Sequence, residues 1–104
     1  MKVVCNEVFG PVLSVQPYDD LELVIAAISE RALGLQCGIF TRSLGTAFHA
    51  ARNLRTGGVI INGTSTWRTD QMPYGGVKGS GMGREGPRYA IRDMTEERLI
   101  VFAG

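Results

Sequence analysis

Cys37-Gly38-Ile39-Phe40-Thr41-Arg42-Ser43-Leu44-Gly45-Thr46-Ala47-Phe48-His49-Ala50-Ala51-Arg52-Asn53-Leu54-Arg55-Thr56-Gly57-Gly58-Val59-Ile60-Ile61 carries the pattern that decides the fold. Cys37 to Thr41 is a short apolar run bounded by polar residues, the signature of a strand. Ser43 is suited to cap a helix. Leu44, Ala47, Phe48, Ala51 and Leu54 recur at helical spacing and predict its apolar face. Arg52 and Arg55 complement the negative end of the helix dipole. Gly57-Gly58 ends the helical pattern, and Val59 to Ile61 reads as the next strand.

The same alternation extends upstream. Val12 to Val15 is β-branched and apolar, and Pro17 closes it, so it is expected to be a strand. Asp19 and Asp20 offer an N-cap. Leu21, Val24, Ile25, Ile28 and Ala32 fall on one helical face, and Gly34 stands where a C′ glycine would end that helix. Strand, helix, strand, helix, strand implies right-handed crossovers and a parallel sheet. The expected class is therefore α/β, a three-layer α/β/α-type parallel sheet. Such a sheet needs cover on both faces. Two helices cover one, so neighbours from outside the chain are expected to supply the rest.

Downstream, Asn62 to Gly86 is a long irregular stretch of the kind that usually carries function. Six of the chain's 14 glycines lie between Gly75 and Gly86, where the backbone must turn tightly or approach something closely. Pro87 is placed for the first position of a third helix running to about Met94. Arg98 to Phe102 is expected to be a closing strand.

Composition narrows the partners. The chain has 104 residues, 44% hydrophobic and 20% charged, a globular balance. The net charge is +1 and the basic residues are dispersed, so neither nucleic acid nor an acidic membrane surface is expected as partner. Leu21 to Ile28, the longest apolar stretch, contains Glu22 and is too short to span a bilayer. Met1 to Glu7 has no apolar core of a signal peptide. Cys5 and Cys37 form no disulfide framework and no metal-ligand set, and free thiols suit a cytoplasmic location.

Several local motifs compete with plainer explanations. Gly81-Met82-Gly83-Arg84-Glu85-Gly86 has the letters of a dinucleotide fingerprint. It lacks the preceding strand and the later acid that the motif requires, so a tight turn is the expected reading. Cys37 sits in an apolar strand and His49 on a helix beside an apolar face, which suits a small buried thiol and not a nucleophile. Cys5 is read the same way. In Glu7-Val8-Phe9-Gly10-Pro11-Val12 an acid and an aromatic precede a Gly-Pro turn. The carboxylate is able to accept hydrogen bonds from a ribose diol and the phenyl ring to pack on a flat ring. Taken alone they read as a surface acid and a core phenylalanine. Trp67, Arg68 and Tyr74 lie in a loop rich in binding side chains, and Arg68 is a candidate partner for an anionic group. Loop binding residues and aromatics tucked into a core fit that stretch equally well.

Taken together, these segments resemble one family. Glu7-Val8-Phe9-Gly10-Pro11 resembles the E-[IV]-F-G-P motif of NAD(P)-dependent aldehyde dehydrogenases. Asn62, followed by Pro73-Tyr74-Gly75-Gly76-Val77-Lys78-Gly79-Ser80-Gly81-Met82-Gly83-Arg84-Glu85-Gly86, resembles that family's closing signature. Tyr89-Ala90 through Met94-Thr95-Glu96 continues it, in the family's order and spacing. The Trp67-Arg68-Thr69-Asp70-Gln71-Met72-Pro73-Tyr74 context resembles the branch with lactaldehyde, sulfoacetaldehyde and non-phosphorylating glyceraldehyde-phosphate dehydrogenases.

The resemblance implies a thiol-based oxidation of an aldehyde to a carboxylic acid, with hydride passing to NAD or NADP. It implies that Glu7 holds the hydroxyls of the nicotinamide ribose and that Phe9 packs near the nicotinamide. Trp67, Arg68 and Tyr74 are the implied substrate-binding residues, for a small, polar or anionic aldehyde. Residues 1–97 would be the C-terminal part of a catalytic domain, and residues 98–104 a strand that assembles a homo-oligomer. The family's nucleophile motif, its catalytic glutamate and its cofactor domain lie upstream of the matching region. No catalytic residue and no metal ligand is therefore assigned here, and the rest of the subunit is an expected partner. Met1 is expected to be an artificial or mis-assigned start, or the edge of a deliberately expressed domain. The competing expectation is a stand-alone binding or assembly module without catalysis. An independent nucleotide-binding domain is a third, with too few cofactor contacts to favour it.

Overall fold

A computed structural model describes residues 6–104. Asp20 starts helix α1 (Leu21–Ser29) in an extended conformation, its Oδ1 accepting from Glu22 N at 2.8 Å. That bond satisfies one of the donors a helix start leaves free. Ile25 is buried, with Leu21, Val24 and Ile28 half-buried around it. The helix ends earlier than expected: Glu30 is its C-cap, so Ala32 and Gly34 lie outside it. Gly34 belongs instead to the two-residue strand β1 (Leu33–Gly34). A Cβ there would come within 2.7 Å of both Arg55 O and Lys78 Cε. Close approach of backbone, and not a helix stop, is what this glycine serves.

Strand β2 (Gln36–Ile39) leads through helix α2 (Leu44–Asn53) to strand β3 (Gly58–Ile61). β2 and β3 pair in parallel, Gln36 opposite Gly58, Cys37 opposite Val59, Gly38 opposite Ile60 and Ile39 opposite Ile61. Ser43 caps α2 as expected, its Oγ accepting from Thr46 N at 3.2 Å. The buried face of α2 agrees with the predicted one at Ala47 and Leu54 and differs at the other positions. Ala47, Ala50 and Leu54 point inward, while Leu44, Phe48 and Ala51 are exposed. Alanines at three-residue spacing let α2 approach α1 and the strands closely, and the larger residues are turned away. Ile25, Ala50 and Leu54 form the buried cluster, with Leu21, Ile28, Cys37, Ile39 and Val59 packed against it. His49 Nε2 lies 2.5 Å from Glu22 Oε1, tying α2 to α1.

The expected three-layer parallel sheet is not what the chain forms. Besides the parallel pair there is only a second, antiparallel pair among the described residues. In it β1 joins β4 (Val77–Lys78), Leu33 opposite Lys78 and Gly34 opposite Val77. Residues 12–15 and 98–102 are not strands. A strand needs a partner for its backbone groups, and none of the described residues pairs with either segment; Leu13, Val15, Leu99 and Phe102 are exposed. The third helix, α3 (Pro87–Asp93), forms as predicted with proline in its first turn.

The chain is extended for its length. Its radius of gyration is 18.1 Å, against about 13 Å for a compact domain of this size. It exposes 8911 Å², where a compact monomer would expose about 5,700 Å². The excess includes the apolar segments just named and the outer stripe of α2.

Cys37 lies half-buried in β2, its Sγ 3.7 Å from Gly38 O, and burial pushes its thiol up from the ordinary value. It behaves as a packing residue, as the sequence suggested; Cys5 lies outside the described residues.

Three outcomes follow from this packing. A Cβ on Gly57 would sit 1.7 Å from Gly75 O. Gly57→Ala should lower stability by about 1–3 kcal/mol through overpacking, whereas Gly45→Ala, whose Cβ would make only an ordinary contact with Ser43 Oγ at 3.7 Å, should stabilise by about 0.5 kcal/mol; urea unfolding measures both. The isolated chain should self-associate through its uncovered apolar segments, seen as an apparent mass that grows with concentration in light scattering. In a Cys5→Ser background, Cys37 should alkylate more slowly than in denaturant at the same mildly alkaline pH, because the thiolate is the reactive form and folding holds the thiol protonated to higher pH. Equal rates would refute that placement.

Candidate functional site

The site region begins where β3 ends. Asn62 adopts a left-handed conformation with φ 56°, which asparagine tolerates better than most residues. Its N–H donates to Ile39 O at 2.7 Å and its Oδ1 accepts from Thr41 N at 2.8 Å. One residue thereby closes the carboxyl end of the parallel pair and sets the exit of the loop. In parallel α/β sheets that end is where ligands bind. The loop turns at once, with Trp67 N–H donating to Thr64 O at 3.0 Å and the hydroxyls of Thr64 and Thr66 2.9 Å apart.

Two shallow grooves flank this loop. One, of about 290 Å³, is bounded by β3, Asn62, Gly63 and Trp67. The other, of about 260 Å³, is lined by Leu35, Tyr74, Ser80, Met82 and Glu85, among others of the glycine loop. Trp67 is exposed and not buried in a core; it borders the first groove, and Tyr74 the second.

The glycine loop has its own framework. Gly81, Gly83 and Gly86 have φ values of 114°, 62° and 112°, conformations that side chains disfavour. The G-x-G-x-x-G letters therefore serve turns, in agreement with the plainer reading. Arg84 NH1 donates to Gly76 O at 2.8 Å and Gly83 O at 2.6 Å, fastening the loop across its waist. Tyr74 and Glu85 form an antiparallel bridge, with Tyr74 N to Glu85 O at 3.2 Å and Glu85 N to Tyr74 O at 2.6 Å.

Arg68 is drawn onto this bridge. Its guanidinium carbon lies 4.2 Å from the Tyr74 ring centroid, and its NH2 lies 3.1 Å from Glu85 Oε2. Arg68 and Tyr74, both named from the sequence, are thus neighbours. Glu85 is the residue that sequence reasoning passed over. Its place in the closing signature was the available signal, but nothing in the spacing says that it faces Arg68, 17 positions away.

Glu7 and Phe9 stand apart. Both are exposed, Phe9 by 96%, so the phenylalanine is not a core residue. Their segment is held by short turns, Gly10 N to Val8 O at 2.9 Å and Val12 N to Gly10 O at 2.8 Å. Among the described residues no hydrogen bond or ion pair joins either to the Arg68 cluster. Also among the described residues, no three His, Cys, Asp or Glu side chains come together as a metal site, and no helix is long and apolar enough to cross a membrane.

Comparison with known proteins gives this geometry a context. A 3-sulfolactaldehyde dehydrogenase of Priestia aryabhattai is 52% identical over 101 residues, 97% of this chain and 21% of that protein. A lactaldehyde dehydrogenase of Methanococcus vannielii is 43% identical over 95 residues, 91% of this chain and 20% of that protein. The NAD+ complex of an aldehyde dehydrogenase from Bacillus cereus superposes with a TM-score of 0.85 at 38% identity, covering 92% of this chain and 19% of that one. The chain spans about a fifth of the length of these relatives. The pattern of the aldehyde dehydrogenase family matches residues 1–100. Nearly the whole sequence is accounted for by that match, the α/β fold agrees with it, and the chain belongs to the aldehyde dehydrogenase family.

Proposed function

We propose that this chain is the C-terminal part of the catalytic domain of an aldehyde dehydrogenase subunit that oxidises a small, polar or anionic aldehyde to its carboxylic acid. The observation that carries the substrate class is the Arg68 guanidinium, stacked on Tyr74 with one edge engaged by Glu85 and its side chain 41% exposed. A guanidinium has five donors, so others stay available to a sulfonate or carboxylate. The relatives' names fit this class: 3-sulfolactaldehyde carries a sulfonate, and lactaldehyde is small and polar. Trp67 would border the approach to the same loop.

The chain's share of a nicotinamide dinucleotide site would be Glu7 and Phe9. The exposed carboxylate suits the ribose hydroxyls, and the phenyl ring, free on nearly its whole surface, suits an apolar ring. The chemistry supplied by NAD or NADP, when bound, is acceptance of a hydride. The attacking thiol and the general base would come from the four-fifths of a subunit that the relatives possess beyond this region. Cys37, with its thiol pushed up by burial, is unsuited to attack. The exposed segment 98–102 would pair with another sheet in a homo-oligomer.

A chimera tests this reading directly: the chain replaces the matching fifth of the Priestia aryabhattai relative. It should reduce NAD or NADP in the presence of aldehyde, while the 104-residue chain alone should not. Within that enzyme, Arg68→Ala should lower kcat/KM for a sulfonated aldehyde on the order of ten- to a hundredfold, the loss expected for a charge-assisted contact. It should change a neutral aldehyde of similar size far less. Equal losses for both would defeat the anion-binding role.

A further inference from the structure

We infer that Glu85 is the positioning residue for Arg68, holding its guanidinium in the orientation that receives a substrate anion. The inference rests on the substrate-binding reading of Arg68 and extends it to a residue that touches no substrate. Three contacts converge. The backbones of Tyr74 and Glu85 are locked by reciprocal hydrogen bonds of 3.2 and 2.6 Å, so ring and carboxylate move as one unit. The ring takes one face of the guanidinium at 4.2 Å. Glu85 Oε2 takes its NH2 at 3.1 Å.

An arginine on a loop is otherwise free to sample many rotamers, and ordering it on binding weakens affinity. Here a face and an edge of the planar group are specified before any ligand arrives. The opposite face and the remaining donors are left over. Because side-chain exposures are 41% for Arg68 and 65% for Glu85, water screens the pair and its charge attraction is modest. The contribution of Glu85 is therefore orientation and not bulk stability. Arg84, next in sequence, is excluded from the role because its NH1 is committed to Gly76 O and Gly83 O.

The test uses the chimera described above, with one sulfonated and one neutral aldehyde, and compares Glu85→Ala, Glu85→Gln and Arg68→Ala. Glu85→Ala should raise KM for the sulfonated aldehyde about three- to tenfold, with a much smaller effect on kcat and on the neutral aldehyde. Glu85→Gln keeps an acceptor oxygen and should restore a KM at or below the native value. In an Arg68→Ala background, Glu85→Ala should have no further effect on the ratio of the two aldehydes. A fall in KM on Glu85→Ala would overturn the inference, since Glu85 would then be a competitor for Arg68. A loss of kcat for both aldehydes that glutamine fails to rescue would overturn it too, by placing Glu85 in the chemistry. If Arg68→Ala discriminates between the aldehydes and Glu85→Ala does not, the positioning role fails while the substrate reading stands. If Arg68→Ala does not discriminate, the substrate reading fails, and this inference with it.

Discussion

The parallel pairing of β2 with β3 is the constraint on which the rest depends. It sets Cys37 beside Val59 and Ile39 beside Ile61, and it gives α1 and α2 an apolar surface on which Ile25, Ala50 and Leu54 close. Both strand ends are also built into it. At the carboxyl end Asn62 bonds to Ile39 and Thr41 across the two strands. At the other end, Gly57 and Gly58 donate to Gly34 and Leu35, each at 3.1 Å. The loop that carries the candidate site leaves from the end of this paired unit, so its candidate residues inherit their position from the sheet.

The glycine loop returns to the opposite, amino end of that pair through backbone contacts more than through apolar packing. Gly57 lies against Gly75, and Gly34 against Arg55 O and the Lys78 side chain. Contacts this close exclude any side chain, which explains glycines where no turn requires them. The result places the Tyr74–Glu85 bridge, and with it Arg68, on the same framework as β1 and β4. A surface cluster of modest energetic worth is thus held by a stiff support.

What the chain lacks is cover. The outer stripe of α2 and residues 12–15 and 98–102 present apolar side chains to solvent. Among the described residues neither of these two chain segments has a strand partner. This fits a chain about a fifth as long as its relatives. It also explains why the expected three-layer sheet appears as two separate pairs: a pattern of alternating elements specifies a strand's tendency, but a sheet requires neighbours.

The sequence by itself determined a cap at Asp19 or Asp20, the cap at Ser43, the proline-started α3, a β-α-β unit from about Cys37 to Ile61, and the family. These rest on local chemistry: a capping oxygen, a fixed φ, an apolar period, a motif in order. It placed Arg68 and Tyr74 in one candidate loop without saying that they touch. Only the tertiary structure decided that Ala50, and not Leu44 and Phe48, joins Ala47 and Leu54 against the core, since two stripes of similar period compete and close approach favours the smaller. Only it exposed Trp67 and Phe9 and brought Glu85 to Arg68. Such pairings join residues distant along the chain, and their geometry depends on how the backbone closes between them, which no local pattern encodes.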